Sequence, residues 1–178
     1  MTTEELYDKL KLIQKMKCET QNLELKSAEQ GYPKRLYDSL SSFSNQDDGG
    51  IIVFGIDEKQ DYKEVGVYDA QDIQKKINEQ CLQMNPVVRP LITVVEKENK
   101  KFVSAEIPGI DLADRPCYYQ GRGRLKGSYT RIGDSDEPMT EYEIYSYEAY
   151  RRKYQDDIRE VPRVTLMSLL FRSTESLC

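Results

Sequence analysis

The segment between Arg115 and Gly133 carries side chains suited to contacting a phosphate backbone. Basic residues and tyrosines alternate in it without an acid: Arg115, Tyr118, Tyr119, Arg122, Arg124, Lys126, Tyr129 and Arg131. The whole chain has a formal net charge of −5, so the segment reverses the sign locally. Arginine and lysine on a glycine-containing loop can follow phosphates, and tyrosines can stack on bases. The alternative is a solvated hairpin loop whose tyrosines pack on a sheet, and the pattern alone leaves both open.

Carboxylates are the other groups that could perform chemistry. Asp57 follows an apolar stretch, residues 51–56, at the carboxyl end of a predicted central strand, where sites on open sheets tend to lie. Glu24 faces out of a neighbouring short strand. Glu19 lies five residues earlier, an odd step, so it must precede that strand or follow a bulge to share a side with Glu24. Converging carboxylates can hold Mg²⁺ or Mn²⁺, whereas the alternative is ordinary solvated acids with a Glu24–Lys26 pair.

Composition excludes several classes of site. The 178 residues include no histidine, which removes Ser-His-Asp and Cys-His catalysis and any histidine-ligated metal. Four scattered cysteines without metal-type spacing favour a reducing cytoplasm over a disulfide framework. No apolar run has the length of a membrane span, and the acidic N-terminus is not a signal peptide, so we expect no membrane partner. The net charge argues against a globally basic nucleic-acid binder but not against a local basic surface.

Periodicity predicts four helices and several short strands that position these side chains. Apolar residues recur at helical spacing in residues 3–17, 36–45, 73–84 and 140–154, and either Asp69 or Asp72 can start the third of these helices. Strands are predicted at residues 23–26, 50–56, 65–67, 87–95, 102–107, 117–119 and 128–132. The turn at residues 47–50 needs a positive φ at Gly49 or Gly50. We predict one domain over residues 1–155, followed by a tail, residues 156–178, that could begin a second domain.

Six short motifs occur together in one order. They are Glu19-x4-Glu24-Leu25-Lys26, Ser42-Phe43-Ser44-Asn45, residues 49–57, residues 65–67, Arg115-Pro116-Cys117-Tyr118 and Tyr129-Thr130-Arg131-Ile132-Gly133. Together they resemble the Schlafen-type Alba-like domain over roughly residues 18–147, and each alone is a weak signal. Ser42 replaces a residue that is often alanine in that family, and Gln46 replaces a threonine. The resemblance implies an α+β fold with a mixed, mostly antiparallel sheet and packed helices.

The resemblance also implies the function. It favours a nucleic-acid-binding domain of a cytoplasmic, bacterial-type transcriptional regulator that needs no cofactor, with Arg131 partly structural. In some eukaryotic Schlafen proteins, carboxylates matching Glu19, Glu24 and Asp57 form a metal-dependent ribonuclease site, which is the alternative, with Mg²⁺ or Mn²⁺. A protein-interaction module without nucleic-acid binding is a third alternative, because the net charge is acidic. A homodimer is suggested only by analogy with Alba-like proteins.

Overall fold

The computed structural model describes residues 1–157, with side chains described as far as residue 155. Within them the helices are α1 (Thr3–Met16), α2 (Tyr37–Ser44), α3 (Ala70–Cys81), α4 (Gly123–Gly127) and α5 (Glu141–Asp157). The strands are β1 (Leu23–Lys26), β2 (Gly50–Phe54), β3 (Ile56–Asp57), β4 (Lys63–Glu64), β5 (Met84–Asn85), β6 (Leu91–Lys97), β7 (Lys100–Ile107), β8 (Tyr118–Tyr119), β9 (Tyr129–Ile132) and β10 (Ser135–Pro138). Most of the predicted tail, from residue 158 on, lies outside the described residues, so its role stays a prediction.

A four-stranded sheet in the order β1-β2-β7-β6 forms the centre of the fold. β1 runs parallel to β2, whereas β2, β7 and β6 pair antiparallel. Three two-stranded sheets surround it, pairing β3 with β4, β5 with β8 and β9 with β10. The predicted α+β class with a mixed, mostly antiparallel sheet is therefore confirmed.

The two faces of the sheet bury separate apolar clusters. On one face, Leu6 and Leu10 of α1 pack with Val53 and Phe102. On the other face, α2 and α3 form the larger cluster, in which Phe43 packs with strand residues such as Ile52. These helices are amphipathic, as their spacing predicts, and burial of their apolar stripes stabilises the packing.

Helix ends are fixed by local side chains. Thr2 and Glu5 form a capping box at the start of α1, and Asp69 accepts the Gln71 and Asp72 N–H groups at the start of α3. Within residues 1–157 no helix combines the length and apolar character that crossing a membrane requires.

Some boundaries differ from the predictions. Residues 87–90, predicted as strand, precede β6, which begins after Pro90 because proline cannot donate to a ladder. The hairpin after the central strand is present, but Ile56 and Asp57 pair with residues 63–64 instead of 65–67. The predicted glycine-rich loop is a 3₁₀ turn, Gln120–Arg122, followed directly by α4.

Candidate nucleic-acid interface and acidic cluster

The turn and short helix between β8 and β9 display three basic side chains. Arg122, Arg124 and Lys126 are all exposed there. Gly127 lets this segment lie close to β8, since a Cβ at that position would lie 2.5 Å from the Tyr119 carbonyl oxygen. Arg124 also forms an ion pair with Glu148 of α5. Arg122 and Lys126 are therefore the residues of this segment whose charge is least compensated by a nearby acid.

Two tyrosines support these basic residues. The Tyr37 and Tyr119 rings stack with centroids 4.5 Å apart. The Arg122 guanidinium lies 5.4 Å from the Tyr37 ring centroid, a cation–π distance, and its Nη1 donates to the Tyr129 hydroxyl at 3.2 Å. These contacts restrain Arg122 without neutralising it, since an aromatic ring and a hydroxyl, not a carboxylate, are its partners.

Arg35 joins the same surface from a distant part of the sequence. Its guanidinium lies 5.6 Å from the Tyr37 ring centroid, and its neighbour Lys34 is exposed. Arg35 also pairs at 3.3 Å with Asp38, one turn along the chain, but its side chain remains 59% exposed. We call the surface formed by Arg35, Arg122, Arg124, Lys126, Tyr37 and Tyr119 the basic face.

Arg115 is buried and acts on loop structure. Its Nε donates to the Ile110 carbonyl at 3.1 Å, and its Nη2 pairs with Asp47 at 2.6 Å. The segment after β7 is thereby tied to the turn that leads into β2. The Arg115 carbonyl accepts a hydrogen bond from Arg151 at 2.9 Å, which attaches α5 to the same loop.

Arg131 is buried in an ionic network between β1, α2 and β10. Its Nη1 lies 2.8 Å from both Glu24 and Asp136, and its guanidinium lies 5.0 Å from the Phe43 ring centroid. Asp136 accepts further hydrogen bonds from the Ser42 and Ser39 hydroxyls. Burial alone would lower the pKa of Arg131, but Asp136 and Glu24 raise it, so the guanidinium stays charged.

The remaining predicted contact residues are tyrosines that pack against the fold. Tyr129 is buried, with only its hydroxyl reaching Arg122. Tyr118 is half-buried in the β5–β8 pair, and its hydroxyl accepts a hydrogen bond from Asn85 at 3.1 Å. The structure therefore separates the seven predicted residues into exposed Arg122, Arg124 and Lys126, half-buried Tyr118, and buried Arg115, Tyr129 and Arg131.

Glu19 and Glu24 lie in one acidic cluster. Glu19 precedes β1, as its odd spacing requires, and its Oε1 accepts the Leu25 N–H at 2.6 Å. The pKa of Glu19 is raised to about 7, mainly by burial and also by the charges of Glu24 and Glu58. The hydrogen bond from the Leu25 N–H and the charge of Lys26 lower it in part. Glu24 itself pairs with Lys26 and Arg131, so two cations already compensate its charge.

Asp57 uses its carboxylate for local structure. Its two oxygens accept the Lys59 N–H at 3.0 Å and the Gln60 side-chain amide at 2.6 Å, which caps the 3₁₀ turn after β3. Its neighbour Glu58, and not Asp57, is the acid that acts together with Glu24 to raise the pKa of Glu19. In residues 1–157, no three acidic, cysteine or histidine side chains are grouped so that they could hold a metal ion. The predicted set of Glu19, Glu24 and Asp57 therefore does not fit a divalent cation in this arrangement.

The family model described as Schlafen, AlbA_2 matches residues 19–140. The chain belongs to this family. The match begins at Glu19 and ends just before α5, so the AlbA_2 domain includes the acidic cluster and the whole basic face, whereas Glu148, the partner of Arg124, lies outside it.

Solved structures share the AlbA_2 fold of this chain. One is the N-terminal domain of a RecG-related protein from Nitrosomonas europaea, with 26% identity and a TM-score of 0.56, covering 79% of this chain and 94% of that domain. Another is the DIP2311 protein of Corynebacterium diphtheriae, with 17% identity and a TM-score of 0.53, which shows a likeness of fold alone. That match covers 83% of this chain but 29% of the Corynebacterium chain. A comparison with curated proteins gives no match.

Ser41 of α2 and Asn45, directly after that helix, hold the strands on either side of the basic segment in place. Asn45 accepts the Cys117 N–H at 2.7 Å and donates to the Cys117 and Tyr129 carbonyls at 2.9 and 3.0 Å. The Ser41 hydroxyl donates to the Cys117 carbonyl and accepts the Tyr129 N–H, at 2.7 and 2.8 Å. These bonds fix β8 and β9, and hence the segment between them, relative to Tyr37 at the start of the same helix.

Proposed function

We propose that this domain binds nucleic acid through the basic face. The observation that carries the proposal is the convergence of Arg35 and Arg122 on one ring, that of Tyr37. Two guanidiniums held close together on an aromatic support suit the spaced negative charges of a phosphate backbone. The name of the Nitrosomonas relative, which links that protein to the DNA helicase RecG, supports a nucleic-acid partner.

The proposal gives the predicted residues different roles. Arg35, Arg122, Arg124 and Lys126 contact phosphates, because their side chains are exposed. Both cations near Tyr37 compete with bases for its ring, so contact with the backbone contributes more than base stacking. Arg115, Tyr118, Tyr129 and Arg131 support the surface from beneath, because their polar groups are engaged within the protein. A role within a cytoplasmic transcriptional regulator belongs to the same proposal and is supported by the family alone.

Neutralising the basic face should weaken binding to nucleic acid of any sequence. We expect Arg35→Ala/Arg122→Ala/Lys126→Ala to lower affinity roughly tenfold or more and to reduce the salt slope by about 0.9 for each lost contact with duplex phosphates. Fluorescence anisotropy with labelled duplex DNA and with single-stranded RNA of the same sequence measures both quantities. The wild-type affinities for the two probes show which nucleic acid binds more tightly.

The matched control removes the same charge elsewhere. Lys11, Lys15 and Lys75 are exposed on α1 and α3, so their triple alanine variant has the same net charge as the test variant. Equal affinity and an equal salt slope for both triple variants would contradict the proposed surface. Absence of binding by the wild-type chain to either probe would favour the protein-interaction module.

One observation bears on the ribonuclease alternative, whose three carboxylates are not grouped as a metal site among the described residues: the raised pKa of Glu19, which lies beside Glu24. Since the folded-state value of about 7 exceeds the ordinary value of 4.5, this group's stabilisation is complete below pH 4.5 and is lost as pH rises through 7. We therefore expect Glu19→Gln to have a higher melting temperature than the wild type at pH 8, and the difference should vanish near pH 4.5. Gln can still accept the Leu25 N–H. Glu29 is exposed, so Glu29→Gln is the control and should leave the melting temperature unchanged at both pH values.

The same variants test the ribonuclease directly. A cation held by Glu19 competes with protons, so Mn²⁺ would raise the wild-type melting temperature more at pH 8 than at pH 6, and not in Glu19→Gln. RNA cleavage would require the metal, Glu19, Glu24 and Asp57. No metal shift and no metal-dependent cleavage would reject this alternative and leave the binding proposal unaffected.

A further inference from the structure

Two strands form the outer edges of the central sheet, β1 on one side and β6 on the other. Hydrogen-bonding direction alternates along a strand, so one bond fixes which residues face outward. The Ile51 N–H donates to the Asn22 carbonyl. The backbone N–H and carbonyl groups of odd-numbered β2 residues therefore point toward β1, and those of even-numbered residues point toward β7. The same alternation continues through β7 into β6. It leaves the backbone N–H and carbonyl groups of Ile92, Val94 and Glu96 pointing away from β7, toward the open edge of the sheet.

The edge of β1 is protected by side chains. The outward Leu25 N–H donates to Glu19 at 2.6 Å, and the outward Leu23 carbonyl accepts Arg131 Nη2 at 3.3 Å. The Leu23 N–H donates to the Thr20 carbonyl at 3.1 Å. Another strand could not pair here without displacing Glu19 from the Leu25 N–H and Arg131 from the Leu23 carbonyl.

Between Pro90 and Glu96, the edge of β6 has no comparable protection. Within the described chain, the outward N–H and carbonyl groups of Ile92 and Val94 have no hydrogen-bond partner, although the Glu96 carbonyl accepts the Tyr7 hydroxyl. Residues 91–95 are uncharged, and Leu91 is 58% exposed. Natural edge strands usually carry a charge, a proline or a bulge, because an open edge recruits another strand.

We propose that β6 pairs antiparallel with β6 of a second copy of this chain, centred on Thr93, so that two sheets become one. In this register Ile92 lies opposite Val94 of the partner subunit, and each such pair exchanges both backbone hydrogen bonds. Leu91 lies opposite Val95 of the partner subunit. Within residues 91–95 all facing side chains are apolar or β-branched, a favourable combination across strands, and no charges oppose one another.

Symmetry and charge favour a second copy over an unrelated strand. Pairing about Thr93 is two-fold symmetric, so one edge supplies complementary donors and acceptors to both subunits. In this register the paired segment is residues 91–95, which is the unprotected stretch. The pairing ends before Glu96, whose carbonyl accepts the Tyr7 hydroxyl. Lys97 lies outside it and is paired with Glu64 at 2.6 Å. This inference does not depend on nucleic-acid binding, because the basic face is formed by residues outside β6.

Val94→Pro tests the interface with little effect on the subunit. Proline removes the outward N–H of Val94, which faces away from β7, so the β6–β7 ladder keeps its bonds. We expect light scattering after size exclusion to give twice the chain mass of 20.7 kDa for the wild type and the single mass for Val94→Pro. Val94→Thr keeps the N–H and the branched side chain and should remain dimeric.

Amide exchange of the wild type decides the case even if the proline variant unfolds. The Ile92 and Val94 amides should exchange more slowly in concentrated than in dilute solution, since only the dimer protects them. A wild type that stays monomeric at hundreds of micromolar overturns the proposal. So does a dimer whose Ile92 and Val94 amides exchange at the same rate at both concentrations.

Discussion

Replacing Arg131 with methionine is expected to destabilise the fold by about 3–5 kcal/mol, the cost of breaking a buried ion pair from one side. Arg131 is 6% exposed and compensates both Glu24 and Asp136, which are themselves largely buried. Methionine keeps an unbranched apolar stem but leaves Asp136 without its cation and Glu24 with Lys26 alone. The Leu23 carbonyl also loses its donor. Guanidinium unfolding followed by circular dichroism measures the change.

Arg122→Met provides the matched comparison, because it removes an exposed arginine from the neighbouring segment. Its effect on stability should stay within about 0.5 kcal/mol, as for most surface substitutions. The two variants should also separate by function: Arg122→Met weakens nucleic-acid binding in a folded protein, whereas Arg131→Met lowers the folded fraction. Equal stability of wild type and Arg131→Met would show that the network contributes nothing to the fold.

Local patterns predicted the elements of this fold better than the contacts between them. The apolar stripe of α1 requires only helical spacing, and Leu6, Leu10 and Ile13 are all buried. The odd step between Glu19 and Glu24 predicted that Glu19 precedes the strand or follows a bulge, because side-chain direction alternates, and the structure has the first of these placements. The positive φ in the turn after α2 is confirmed at Gly49, with φ of 63°.

The composition of the basic face could not be predicted from spacing. Arg35 and Arg122 are 87 positions apart (122 − 35) and meet only because α2 packs beside β8 and β9. The adjacent pair Lys34-Arg35 just before a helix was the available signal. Conversely, Arg115 belongs to the acid-free segment but is neutralised by Asp47, 68 positions away. Such pairings depend on tertiary contacts, which a local charge count does not include.

Gly49→Ala should be the second large destabilisation, about 2–5 kcal/mol, because two independent costs add there. The residue has φ of +63°, a left-handed conformation that costs an alanine about 1–2 kcal/mol. An added Cβ would also lie 2.1 Å from the Ile107 carbonyl oxygen and 2.7 Å from the Gly109 nitrogen. Both are backbone atoms, so relief requires the β2 and β7 ends to separate, a form of overpacking that costs about 1–3 kcal/mol.

Gly133→Ala separates these two costs. Gly133 has φ of +62°, nearly that of Gly49, but nothing lies within 4 Å of the position of its Cβ. Its alanine variant should therefore lose only the conformational part, about 1–2 kcal/mol. Chemical denaturation of both variants gives the difference, which measures the close approach of the turn to Ile107. If the two alanine variants are equally stable, the turn relaxes freely, and the tight entry into β2 contributes no more than its backbone angle.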